Sequence, residues 1–133
     1  MLSIRNLNEN DYETFVDWWR FWRFPAPTRE MLPANGLNGF VVKHDDVDVC
    51  GGFLYFTNSN MCWLEYIVSN YEVRDRQIRK ESIELLINTL LDYAKTSGFS
   101  VVYTSLKNEN LKNKFENCGF IEADRPIEMV KRI

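Results

Sequence analysis

Soft metal ligands are scarce in this chain, which has one histidine, His44, and three cysteines, Cys50, Cys62 and Cys118. None of the cysteines lies in a paired spacing. A tetrahedral zinc site would have to be assembled mostly from carboxylates, an uncommon solution, so no metal site is expected. The odd cysteine count, with apolar or small neighbours, argues for free thiols in a reducing compartment. A basic excess is lacking too. Sixteen Lys and Arg against nineteen Asp and Glu give a net charge of −3, whereas a generic nucleic-acid binder would carry positive charge. The opening residues Met1-Leu-Ser-Ile-Arg5 are neither a charged-then-apolar signal nor a membrane span. The expected location is cytoplasmic, with neither membrane nor nucleic acid as partner.

What the chain does have is apolar and aromatic material, 45% and 14% of its 133 residues. That excludes disorder and suffices for one domain, 1–133, which at this size buries roughly two thirds of the surface its unfolded chain exposes. Leu2 to Leu7 alternates as a half-buried strand should. Asn8 is placed to cap a helix carrying Tyr12, Phe15, Val16 and Trp19, with Pro25 and Pro27 ending it. One further turn is expected near Arg29-Glu30-Met31. Gly39–Lys43, Val49–Phe56 and Met61–Val68 read as a three-strand meander joined by turns at Asp45-Asp46 and Asn58-Ser59-Asn60. Ile83, Leu86, Ile87, Leu90, Leu91 and Ala94 then form the apolar stripe of a long helix that Gly98 stops. Ser100–Ser105 is a strand, parallel to the previous one because a helix separates them. A short helix near 110–117 and a last strand over Ile127–Val130 complete the order.

Two clusters carry chemical information. Arg74, Arg76, Arg79 and Lys80 place four cations at the start of the long helix, where each opposes the macrodipole by about 0.3–1 kcal/mol when exposed. An anionic ligand would reverse the sign of that effect. The alternative is a solvated first turn capped by Asp75, with Glu81 as a local partner. Trp18, Trp19, Phe21, Trp22 and Phe24 are five aromatics in seven residues, more than one helix face buries. Some of them would line a pocket, meet a partner subunit in a homodimer, or form an exposed patch. Arg20 and Arg23 interleave with them, which suits an acidic or aromatic acceptor.

The run from Tyr66-Ile67-Val68 through the basic turn to Gly98, followed by Asn108-Glu-Asn-Leu-Lys-Asn-Lys-Phe115-Glu-Asn-Cys-Gly119-Phe120, resembles the acyl-CoA-binding half of the GNAT superfamily of N-acetyltransferases. The resemblance extends over nearly the whole chain. It implies an α+β fold: a mixed, mostly antiparallel sheet of six to seven strands, helices on both faces, and a central parallel pair that splays. It implies acetyl-CoA as acyl donor and a small-molecule or peptide amine as acceptor. Backbone groups of Ile67 and Val68 would align the thioester. Arg74, Arg76, Gln77, Ile78, Arg79 and Lys80 would hold the diphosphate, Asn108 would contact the pantetheine side, and Phe115 would pack beside the sulfur. Glu65 would be the catalytic base, its pKa raised between Trp63 and Tyr66; the competing reading has it facing solvent. Ser69 or Asn70 would serve equally well to bond the acyl carbonyl. Trp18 and Trp22 would lie in the substrate pocket.

Two departures from the family pattern matter. Gln77 and Arg79 stand where the pattern Gln/Arg-x-x-Gly-x-Gly/Ala has glycines. Phe115 stands where Asn-x-x-Ala-x-x-(apolar)-Tyr-x-x-x-Gly-Phe has the tyrosine that protonates the leaving thiolate. The resemblance therefore leaves two activities open: N-acyl transfer, or a catalytically inactive GNAT-fold module that binds through its aromatic first helix.

Overall fold

The computed structural model describes residues 1–133. Its strands are β1 (Leu2–Asn6), β2 (Gly39–His44), β3 (Val47–Tyr55), β4 (Met61–Ser69) and β5 (Val101–Tyr103). Its helices are α1 (Asp11–Phe21), α2 (Arg76–Thr96) and α3 (Glu109–Asn117), with single 3-10 turns at Arg29–Met31 and Pro33–Gly36. The strands lie side by side in chain order, antiparallel except for the last pair, β4 and β5. This is the expected mixed α+β sheet, with five strands instead of six or seven. No helix is long and apolar enough to cross a membrane.

Alternation along β2 to β4 supplies a core on each face. Val42, Cys50, Leu54, Cys62 and Leu64 pack against the α2 stripe of Ile83, Leu86, Ile87, Leu90 and Ala94. Val41, Phe53 and Val68 point the other way, against Phe15, Trp18 and Trp19 of α1. Helix α1 comes close because Gly51 has no side chain: a Cβ there would stand 2.2 Å from the Phe15 ring. Arg5 fixes the start of α1, gripping Asp11 through both guanidinium nitrogens at 2.7 and 2.8 Å and reaching Asp48 at 2.9 Å.

Asn8 caps the entry to α1 as expected: its side chain accepts from Asn10 N at 2.9 Å and its N–H donates to Asp11 at 2.7 Å, while Asn10, directly before the helix, makes no side-chain cap bond. Two expectations need correction. The prolines do not end α1. It stops at Phe21 because Arg23 turns left-handed (φ +56), with Phe24 N bonded to Trp19 O and Arg23 N to Arg20 O, a Schellman ending. Ile127–Val130 forms no strand: Ile121, Ile127, Met129, Val130 and Ile133 are each at least 87% exposed. That stretch has strand-like patterning, but no neighbour covers it. What anchors the segment is Glu122, paired with Lys112 at 3.0 Å and with Arg125 at 2.6 Å.

Candidate active site

Strands β4 and β5 pair over only three rungs, Met61 with Val101, Cys62 with Val102 and Trp63 with Tyr103. Beyond that point side chains replace the ladder. Thr104 Oγ1 donates to Leu64 O at 2.7 Å, and Ser105 N donates to Glu65 Oε1 at 3.0 Å. The cause lies on the other edge of β4. Gly51 pairs with Val68 and Phe53 with Glu65, so Tyr66 and Ile67 stand opposite the single residue Gly52. Tyr66 accommodates the extra residue at φ +61, a conformation that costs an L-residue roughly 1–2 kcal/mol. The bulge bends β4 and leaves the edge at Ile67 and Val68 without a strand beside it. Val68 is buried and Ile67 half-buried, so what that edge offers a ligand is backbone.

Glu65 sits where the strands part. It is half-buried, and Oε1 accepts from Trp63 Nε1 at 2.7 Å as well as from Ser105 N. Burial pushes its pKa up; the hydrogen bonds from Trp63 and Ser105 pull it back, and nearby Glu128 raises it further, so the carboxyl titrates above its ordinary value. Aromatic rings surround it. Trp63 stacks on Tyr103 at 5.0 Å, and Tyr66 contacts Trp19, Phe24 and Tyr55 at 6.1, 6.2 and 6.4 Å. Asn70 is committed elsewhere, donating to Asp48 O at 2.9 Å and accepting from Glu72 N at 3.0 Å. The Ser69 carbonyl is taken by Trp22 Nε1 at 2.9 Å.

The remaining residues of interest divide between surface and core. Asp75 caps α2, accepting from Gln77 N at 2.9 Å and Ile78 N at 3.1 Å, while Gln77 Nε2 bonds Glu81 at 3.0 Å. The cap consumes two of the backbone donors that a glycine loop would offer to phosphate. Arg79 lies over the Trp22 ring at 5.1 Å; Arg74, Arg76 and Lys80 are exposed and Ile78 is half-buried. Asn108 caps α3, accepting from Asn110 N at 2.8 Å and Leu111 N at 3.3 Å. Phe115 is 2% exposed, enclosed in the α2 core and edge-on to Phe120. Trp18 likewise belongs to a core, whereas Phe21, Trp22 and Phe24 remain 54%, 42% and 42% exposed. Thus Glu65, Ile67 and Val68 meet at the fork, Trp22 and Arg79 meet at the end of β4, and Trp18 and Phe115 are interior. Sequence reasoning missed Lys114. It lies on α3 within electrostatic reach of Arg79 and Lys80 and occupies the slot that the resemblance keeps apolar.

No family model and no curated protein sequence matches the chain. Solved structures do. The ribosomal-protein-S18-alanine N-acetyltransferase from Escherichia coli superposes with a TM-score of 0.73 at 15% identity, over 93% of this chain and 80% of that one. An aminoglycoside acetyltransferase from an uncultured soil metagenomic sample gives 0.65 at 17% identity, over 99% and 96%. N-acetylglutamate synthase from Neisseria gonorrhoeae, complexed with coenzyme A and L-arginine, gives 0.74 at 18% identity, over 92% of this chain and 28% of that one. These are acetyltransferases of the GNAT fold, and GNAT is the fold of this chain.

Proposed function

We propose that this protein transfers an acetyl group from acetyl-CoA to an amine. The observation that carries the reading is the fork itself: a bulged strand whose backbone edge opens opposite a half-buried carboxyl with a raised pKa. In this reading the pantetheine arm lies along the free edge at Ile67 and Val68. Oε1 of Glu65 is held by Trp63 and Ser105, so Oε2 takes the proton from the acceptor's ammonium, directly or through water. The neutral amine then attacks the thioester carbonyl carbon, forming the C–N bond. Collapse of the tetrahedral adduct breaks the C–S bond, and the proton that the new amide nitrogen sheds passes through water to the departing CoA thiolate, because Phe115 has none to give. The aromatic rings beside Glu65 suit a small-molecule or peptide amine with an apolar or flat group.

A second reading draws on two specific observations. Asp75 occupies backbone donors of the first turn of α2, and Phe115 is buried in place of an acid. Both favour a non-catalytic module of the same fold, binding through Phe21, Trp22 and Phe24. Thermal unfolding with acetyl-CoA separates the two. Ligand at a hundred times its dissociation constant adds about 2.7 kcal/mol, or about 10 °C for a domain of this size. A shift of that order with thiol release in the presence of an amine supports acyl transfer. No shift at millimolar acetyl-CoA overturns it in favour of the module.

A further inference from the structure

On the face of the sheet that α1 covers, the cover ends at one row. Phe53 packs against Phe15 and Trp19 at 5.9 and 6.5 Å, and Glu65 is its partner across β4. The next row out is Tyr55, Trp63 and Tyr103, aligned across β3, β4 and β5 by the register of both ladders. All three are aromatic, none is fully buried, and none belongs to either core. Tyr55 is tied down through its hydroxyl, which donates to Met31 O at 2.6 Å. Trp63 and Tyr103 stand face to face, 5.0 Å apart and 16° from parallel. Because β5 is the edge of the sheet, the outer face of Tyr103 has no strand beside it, and the residue is 43% exposed.

A carboxylate adjoins this row. Glu65 reaches from β4 across to the chain that continues β5, where Oε1 accepts from Ser105 N at 3.0 Å, and Trp63 Nε1 fixes the same oxygen at 2.7 Å. Ser105 is two residues past Tyr103, a rise of roughly 7 Å for extended chain. Glu65 enters no ion pair, so a half-buried carboxylate without a cation stands next to an uncovered ring. A cross-strand aromatic stack alone would serve to pin the end of β5. That service does not call for an unpaired carboxylate within a short reach of the open ring face. A ligand that satisfies both groups carries a cation and a flat ring: the ring continues the stack in offset geometry, and the ammonium meets the free Oε2. We propose that Tyr103, backed by Trp63, and Glu65 form a binding site for an amine carrying an aryl ring on a spacer of about two or three carbons, the ring on Tyr103 and the amine at Glu65. As the class of the acetyl acceptor this rests on the acyl-transfer reading above; as a binding site for such an amine it does not.

Calorimetric titration of the full chain with phenethylamine and with its ring-saturated counterpart, in which cyclohexyl replaces phenyl, tests this. The two match in length and charge, and only the first is flat. The parent should bind phenethylamine at least about fivefold more tightly, and kcat/KM for acetyl transfer should follow the same ratio. Tyr103 lies outside both cores on an exposed edge, so substitutions there leave the packing intact. Tyr103→Phe should keep the preference, and Tyr103→Leu, which retains apolar bulk without a ring, should reduce it to within about twofold. Equal affinity of the parent for the two amines overturns the site, as does a preference that survives in Tyr103→Leu, or no binding of either amine. If phenethylamine binds with the expected pattern but no thiol is released from acetyl-CoA, the site stands and acyl transfer falls. If another amine is acetylated while the parent shows no preference for the aryl ring, acyl transfer stands and the site falls.

Discussion

Replacing Glu65 with glutamine separates catalysis from stability, because it changes the charge and keeps the shape. The amide oxygen of the introduced side chain can accept the bonds from Trp63 Nε1 and Ser105 N that Oε1 accepts now, at 2.7 and 3.0 Å. What disappears is a carboxylate that burial disfavours. Between the pKa of the unfolded chain and the raised value of the folded one, the native state binds more protons than the unfolded state. Stability of the parent therefore falls as pH rises through that window and levels off above it. Glu65→Gln lacks that descent, so near pH 7 it should melt at or above the parent, with the two curves converging in acid. Loss of a positioned base costs about 10²–10⁴-fold in rate, or roughly 3–5 kcal/mol of barrier. The assay is thiol release from acetyl-CoA with the best acceptor from an amine panel, beside melting curves from pH 4 to 8. In the parent kcat/KM should rise with pH through a pKa above the ordinary glutamate value; the variant should lose that limb. A variant within tenfold of the parent would refute the base. A variant that melts lower at pH 7 would refute the raised pKa.

Asp11→Ala leaves Arg5 with only Asp48 and frees the Asn8 N–H, so it should cost about 3 kcal/mol, or about 10 °C in Tm; an effect under 1 kcal/mol in denaturant melts would show that the pair is screened. Ser82 is fully buried with no partner for its hydroxyl, so Ser82→Ala should stabilise by about 1 kcal/mol; a loss would reveal a bonded hydroxyl. Arg23→Gly removes left-handed strain of roughly 1–2 kcal/mol and adds roughly 0.5–1 of unfolded-state entropy, for a net gain of up to about 1.5 kcal/mol; a lower Tm would mean that the Arg23 side chain holds the α1 terminus in place.

The elements that could be read from sequence are those whose pattern is enforced by burial. The α2 stripe and the alternation in β2 to β4 are apolar because a core requires it, and the structure places both as expected. Ile127–Val130 has the same alternation with no neighbour, and without a partner that pattern fixes nothing. The stop of α1 is hidden for a related reason. Prolines are visible breakers, whereas an arginine adopting φ +56 is set by the Trp19 and Arg20 carbonyls it satisfies and leaves no compositional trace.

The site divides along the same line. Glu65 is legible as a carboxylate between aromatics, and burial there does raise its pKa. The bulge at Tyr66 is not, because nothing about a tyrosine announces a left-handed backbone. The basic turn is legible as a charge anomaly. Four cations at a helix start oppose that helix's dipole, so in sequence they point to an anion held by side chains or to a solvated, capped first turn. The Asp75 cap and the Glu81 partner are found as the sequence offered them, whereas Lys114 comes within electrostatic reach of Arg79 and Lys80 only because α3 packs alongside. A loop without its glycines and a helix with a lysine at an apolar slot look like two independent losses in sequence. Packed together they bring Lys114 within electrostatic reach of Arg79 and Lys80, a relation that depends on how two helices pack and that neither segment carries by itself.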